Sequence, residues 1–267
     1  EALIEQVETV QSAISNSGEL SANVIELEAQ LTENLYASTV NNTGIIKAAA
    51  VEMQGGKIRI TGGGADIVNA GDITADGSDN QDAGDIDIYT THDTHLESGS
   101  TLSASGNGVN SDAGDIIVFS DGDTYFNEGS IIDIAGVEIS GDGGFAEVSA
   151  RETVVFTGQA FGGATDGDAG SLLIDPTDIR IVLGPDNAGS ADVDHGDANN
   201  GAGESTFQAS TFNGFANVDL EATNDITVET AWNLGSVTNG NALSLKAGND
   251  ININGSVTTA GGDINLT

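Results

Sequence analysis

Two glycine motifs share one period, and that period limits what the chain can fold into. Gly56-Lys-Ile-Arg-Ile, Gly84-Asp-Ile-Asp-Ile, Gly114-Asp-Ile-Ile-Val, Gly144-Phe-Ala-Glu-Val and Gly170-Ser-Leu-Leu-Ile each open an apolar run, at spacings of 28, 30, 30 and 26 residues. A second motif begins at Gly18, Gly44, Gly71, Gly99 and Gly129, out of phase with the first, at spacings of 26, 27, 28 and 30. Self-similarity at 20–50 residues marks a solenoid, a propeller or an array.

Each unit holds three short runs in which apolar and polar residues alternate, which is a strand signal. In one unit they begin at Asp85, Thr94 and Thr101, and in the next at Asp115, Thr124 and Ile131. Gly, Asn, Asp and Ser separate them and supply turns. Three strands per unit, joined by links too short for helices, give one coil of a parallel β-helix; a propeller blade would need four antiparallel strands. The expected fold is therefore all-β, a parallel β-helix (β-solenoid) with three short strands per coil and a few short helical turns. At roughly 27 residues per coil, the chain makes on the order of ten coils, each advancing the rod by about 4.8 Å. Ile58, Ile86, Ile116 and Leu172 follow their glycines at matching positions and are expected to stack in one sheet.

Three segments depart from the repeat. Residues 1–16 carry apolar side chains at Leu3, Ile4, Val7, Val10 and Ile14, the spacing of a short helix or a helix passing into the first strand. Residues 31–38 read as a helical turn at a corner. Residues 184–203 hold almost no apolar residue and read as a polar loop, with 206–212 as a short helix re-entering the stack. The expected organisation is thus 1–183 as coils behind a short helical or strand segment, 184–214 as a polar excursion, and 215–267 as further coils. Strand pattern persists to Thr267 and the chain opens on Glu1, so it reads as an excised segment whose last coil continues further.

Asp and Glu total 42 against 6 Lys and Arg, giving a net charge of −36, which repels nucleic-acid phosphate and anionic lipid. With no Cys, no disulfide or thiolate site is possible, which suits a chain exported unfolded. No apolar run reaches the ~18 residues of a membrane helix.

Val40-Asn-Asn-Thr-Gly-Ile-Ile-Lys-Ala, Gly56-Lys-Ile-Arg-Ile, Leu172-Leu-Ile-Asp-Pro-Thr-Asp-Ile-Arg-Ile and Leu245-Lys-Ala-Gly-Asn-Asp-Ile-Asn-Ile-Asn-Gly-Ser-Val resemble filamentous-haemagglutinin-like exoproteins of the two-partner secretion family. The resemblance covers residues 10–267. It implies a right-handed β-helix exported through an outer-membrane transporter to the cell surface or medium. There it would serve as an adhesin or surface filament, with a cell-surface glycan or protein as partner, or as a stalk carrying a distal toxin. The Asn-Pro-Asn motif of the family's secretion signal is missing here.

Four carboxylates, Asp82, Asp112, Asp142 and Asp168, sit two residues before strand-opening glycines and are expected to stack at one corner. They read either as turn caps or as a cation ladder suited to Ca2+, which takes several oxygen ligands. Asp76, Asp79, Asp82 and Asp85 lie three apart, as in a calcium loop, but no Glu closes that loop at position twelve. His92 and His95 with Asp93 offer a partial zinc set short of a third or fourth ligand, and His95 aligns with Tyr125 of the next coil. His195 lies in the polar loop. A carbohydrate-active β-helix enzyme is the alternative reading, since Asp pairs are plentiful; with one Trp and three Tyr, the aromatic platforms such an enzyme needs are scarce, so no catalysis is expected. End-to-end self-association through open strand edges completes the expectations.

Overall fold

The computed structural model describes residues 10–31, 36–48, 56–136, 140–182, 204–212, 215–234 and 242–267. They form a β-solenoid in which every strand-to-strand pairing is parallel. The longest sheet carries nine strands, in chain order Val24–Gln30, Lys57–Gly63, Asp85–Thr90, Asp115–Ser120, Phe145–Ala150, Ser171–Asp175, Asn217–Ala222, Ala242–Ala247 and Ile264–Leu266. Eight steps between them, at about 4.8 Å each, give a rod of about 38 Å. Two six-stranded sheets form the second and third faces, one running from Val10–Asn16 to Val154–Phe156 and the other from Glu19–Ala22 to Gln159–Phe161. A coil in the middle of the rod thus holds one strand of six residues and two of three, as in Asp85–Thr90, Thr94–Leu96 and Thr101–Ser103, whereas the second-face strands Val10–Asn16 and Tyr36–Asn42 are seven residues long.

Alternation decides which side chains enter the core. On the long face, Ile58, Ile86, Ile116, Ala146, Leu172, Val218 and Leu243 pair in unbroken register, and each is 0% exposed. Ile60, Ile88, Val118, Val148, Ile174, Leu220 and Leu245 form a second inward column beside them. The expected stack of Ile58, Ile86, Ile116 and Leu172 is present, with Ala146 between the last two. Burying each of the Ile, Leu and Val side chains contributes roughly 1.5–3 kcal/mol.

The glycine period has a steric cause. A Cβ on Gly84 would lie 1.7 Å from the Gly56 carbonyl oxygen, one on Gly114 2.0 Å from that of Gly84, and one on Gly144 1.9 Å from that of Gly114. Coils touch backbone to backbone at this corner, which only glycine permits. The second motif uses glycine differently along its length: Gly44 and Gly71 make the same close approach, whereas Gly99 and Gly129 adopt φ of 87° and 85°.

One inward column on the second face changes chemistry. Asn42, Asn69, Leu96, Phe126 and Phe156 are register partners in turn. At the polar end, Asn16 Nδ2 donates to Asn42 Oδ1 at 2.8 Å, and Asn42 Nδ2 donates to Asn69 Oδ1 at 2.7 Å. Each amide also closes its own turn, Asn42 and Asn69 through the N–H groups of Gly44 and Gly71.

Of the two readings of residues 1–16, a helix does not extend over Val10–Asn16, which is a strand, as a helix passing into the first strand would have it; residues 1–9 lie outside the described residues. Parallel pairing with Tyr36–Asn42 and the Asn16–Asn42 bond outweigh the helical spacing. The corner turn expected over 31–38 is a strand from Tyr36 onward, and residues 32–35 lie outside the description.

The polar stretch 184–203 also falls outside the described residues. Directly after it, Glu204–Gln208 forms a strand that its sequence does not announce. This strand pairs in parallel with Asp178–Val182 and meets Val154–Phe156 on its other side, where Val154 N–H donates to Ser205 Oγ at 2.8 Å. A later segment is therefore inserted between two earlier levels of the second face. The helix expected over 206–212 is confined to the 3-10 turn Ala209–Phe212. Phe207 and Phe212, both 0% exposed, anchor the insertion in the core. Arg180 fastens its edge by reaching Glu204 at 3.5 Å and Glu229 at 2.8 Å. Among the described residues, no helix is long and apolar enough to cross a membrane.

Candidate functional site

Turns between strands carry most of the polar chemistry, and their carboxylates point along the rod. Asp112 N–H donates to Asp82 Oδ1 at 3.1 Å, Asp142 N–H to Asp112 Oδ1 at 2.9 Å, and Asp168 N–H to Asp142 Oδ1 at 2.8 Å. The four residues expected at one corner are brought together there. Each carboxylate from Asp82 to Asp142 accepts the amide one coil on, so the bond runs between coils rather than within an Asx turn. The loop from Asp76 to Asp85 does not converge on a point. Asp76 accepts the Ser103 and Ser105 hydroxyls and the Ser105 amide, Asp79 accepts Val109 N–H at 3.0 Å, and Asp85 pairs with Lys57 at 3.5 Å.

A second carboxylate column borders the second face. Asp93 N–H donates to Asp66 Oδ1 at 3.2 Å, Asp123 N–H to Asp93 Oδ1 at 2.8 Å, and Thr153 N–H to Asp123 Oδ1 at 2.9 Å. Strand Thr94–Leu96 turns His95 outward beside this column. Its Nε2 lies 3.7 Å from Asp66 Oδ2, and its ring stacks on Tyr125 with centroids 4.7 Å apart and planes 4° from parallel. The Tyr125 hydroxyl donates to Asp123 Oδ2 at 2.9 Å. Ligand atoms of Asp66, Asp93 and His95 all lie within 4.8 Å of one another, the group of three that the described residues assemble. The Asp66 carboxylate raises the His95 imidazole pKa against the lowering effect of burial. Burial works to raise Asp66 itself, but His95 and the Asp93 amide together outweigh it and hold the carboxyl below its ordinary value. Burial, and then Asp123, raises the Tyr125 phenol.

His92 does not join His95: its Nδ1 lies 3.2 Å from Thr91 Oγ1 on the exposed turn. His195 lies outside the described residues. Sequence reasoning paired His95 with Asp93 and missed Asp66. The signal for it was the period itself, since Asp66 stands 27 residues before Asp93 and on the coil below.

The outer side of the long face carries an aromatic shelf. Tyr89 and Phe119 stack with centroids 5.9 Å apart and planes at 11°. Arg59, Asp87 and Ile117 extend it into a shallow groove of about 330 Å³. Tyr89 OH donates to Asp121 Oδ2 at 2.9 Å, and Arg151 Nε meets Asp121 Oδ1 at 2.6 Å, so the shelf's edge is fixed. The hydrogen bond to Asp121 raises the Tyr89 phenol pKa.

Fold and site define a parallel β-solenoid with carboxylate-capped corners. No family model, no curated protein and no solved structure matches the chain.

Proposed function

We propose that this chain is an extracellular β-helical rod, part of a secreted adhesin or surface filament of the filamentous-haemagglutinin-like type. The observation that carries the reading is the uniformity of the nine-stranded face, whose pairs run in one-to-one register from Val24 to Leu266. Such a continuous registered stack suits a shaft that spans distance. An enzyme of this shape needs two carboxyls about 5–9.5 Å apart across a cleft; here the corner carboxylates are spent on backbone amides of the next coil.

The rod passes an outer-membrane transporter during secretion, which the absence of Cys favours, and works at the cell surface or in the medium. Its ligand is a cell-surface glycan or protein, contacted at the Tyr89–Phe119 shelf, where two parallel rings offer an apolar plane beside Arg59 and Asp87. The net charge of −36 argues against nucleic acid as a partner. End-on association through open strand edges is the second expected property.

The experiment is a glycan-array and whole-cell binding screen with the purified chain, alongside analytical ultracentrifugation across a salt series. Saturable binding lost in Tyr89→Ala with Phe119→Ala, or end-on oligomers that grow with salt, supports the reading. A strictly monomeric chain with no cell or glycan binding overturns it, and turnover of a polysaccharide would replace it with the enzyme reading.

A further inference from the structure

We propose that Asp66, Asp93 and His95 form a binding site for a divalent transition-metal ion of the Zn2+, Co2+ or Ni2+ class. The inference does not depend on the adhesin reading.

Three donors of the right kind meet at one place on the rod surface. Two are carboxylates and one is an imidazole, and their ligand atoms lie within 4.8 Å of one another. Zn2+ binds nitrogen and oxygen at about 2.0–2.2 Å, which puts tetrahedral ligands about 3.4 Å apart. The His95 Nε2 to Asp66 Oδ2 separation of 3.7 Å is already close to that. Small side-chain rotations would close the rest, with water filling the remaining positions.

The set is held by its surroundings as metal ligands are. Asp66 and Asp93 each give Oδ1 to a backbone amide of the next coil, Asp93 N–H and Asp123 N–H respectively. That holds each carboxylate by one oxygen, and the other oxygen of Asp66 lies beside His95 Nε2. The imidazole is clamped by the parallel Tyr125 ring, itself held by its bond to Asp123. Partners that orient a ligand in this way commonly govern metal affinity by about 10–100-fold.

Capping alone does not explain the histidine. The column Asp82, Asp112, Asp142 and Asp168 makes the same inter-coil bonds without any imidazole. His95 occupies a position whose register neighbours are Val68 and Tyr125, and then Val155, none of them needed for a cap. A nitrogen donor also selects the metal: Ca2+ takes six to eight oxygens, whereas imidazole with carboxylates suits Zn2+, Co2+ and Ni2+.

The test is calorimetric titration of the whole chain with ZnCl2 in millimolar Ca2+, which occupies weak carboxylate sites, with Co2+ visible absorption as a report on ligation. One saturable ion per chain is expected. His95→Gln and Asp66→Asn should each weaken it by about 10-fold or more, while Asp142→Asn, on the other column, leaves it unchanged. Should His95→Gln fail to fold by circular dichroism, Asp66→Asn alone decides. Absence of a saturable phase, or an affinity in the folded variants within about two-fold of the parent, overturns the proposal.

Discussion

Truncating Asn42 to alanine should cost far more than its one side chain suggests. Asn42 is 1% exposed and stands between Asn16 and Asn69 in the polar column. Its loss removes the 2.8 Å bond from Asn16 and the 2.7 Å bond to Asn69, as well as the cap on Gly44. Asn16 Nδ2 keeps the Ile45 carbonyl at 3.3 Å while its Oδ1 still accepts Gly18 N–H at 3.2 Å, and Asn69 Oδ1 keeps the Gly71 amide at 3.4 Å. Two buried amides are left underbonded, at about 1–3 kcal/mol each. The retained longer bonds place the total in the lower part of that sum, about 2–4 kcal/mol. For a chain of this size the melting midpoint should fall by roughly 5–15 °C. Urea denaturation followed by far-UV circular dichroism gives the free energy, and hydrogen exchange places it on coil 36–48. Asn42 and Asn69 share a bond, so the double variant should cost less than the two singles together, by about 1 kcal/mol. A single-variant cost below about 0.5 kcal/mol, or strict additivity of the pair, would refute the ladder reasoning.

Gly114→Ala brings a Cβ to 2.0 Å from the Gly84 carbonyl oxygen, so it should destabilise by more than about 2 kcal/mol, whereas Gly163→Ala, which meets nothing within 4 Å, should be mild; thermal melts of the two separate them. Asp112→Asn keeps an acceptor for Asp142 N–H and should be neutral or stabilising, while Asp112→Ala should lose about 1–2 kcal/mol. Millimolar Ca2+ should move the midpoint of the parent by less than about 2 °C; a large saturable rise abolished in Asp112→Asn with Asp142→Asn would make that column a cation ladder instead. Asp175 is raised from 3.8 to about 6 by burial and then by Glu221 and Glu147. The native state therefore holds the extra proton between about pH 4 and 6, so this residue's contribution weakens stability as pH rises through that window. Asp175→Asn should match the parent at pH 4 and exceed it at pH 7, and equal melts at both pH values would sink the assignment.

The glycine period carried most of the fold because the contact it records is local and repeated: Gly56, Gly84 and Gly114 must stay bare wherever coils touch. Alternation then assigned the inward columns, since a strand side chain has only two directions. The strand Glu204–Gln208 stayed illegible for the opposite reason. Its sequence, Glu-Ser-Thr-Phe-Gln, has one large apolar residue, and its place is fixed by contacts from two other levels, Val154 and Arg180. Asn16, Asn42 and Asn69 each stand two residues before a glycine of the second motif, yet the sequence does not show them as a hydrogen-bonded column. Nothing in composition says that an amide pointing into a narrow interior will meet its own kind on the coil above. For the candidate metal group, His95 and Asp93 stand two residues apart in sequence, whereas Asp66 needed the pairing Thr94–Ile67 to bring it close.

A chain with 42 acidic and 6 basic residues can stack its carboxylates because each column binds as well as repels. Asp178 and Asp225 repeat the device near the far end, accepting Asp225 N–H at 2.9 Å and Asp250 N–H at 3.0 Å. A hydrogen bond to a charged acceptor contributes about 1.5–3 kcal/mol, against roughly 1 kcal/mol of repulsion between adjacent carboxylates in water. The two terms respond differently to salt. Short bonds to backbone amides are little screened, while repulsion over a Debye length vanishes as that length shrinks from about 30 Å at 0.01 M to about 3 Å at 1 M. Exposed ion pairs such as Lys246 with Glu221 weaken at the same time, but solvent already screens them and the basic residues are few. The balance fixes a sign: NaCl at about 1 M should raise the melting midpoint above its value at about 0.01 M, and Asp112→Asn with Asp142→Asn should shrink the rise. A midpoint that falls with salt would mean that the ion pairs, not the carboxylate columns, dominate the electrostatics of this rod.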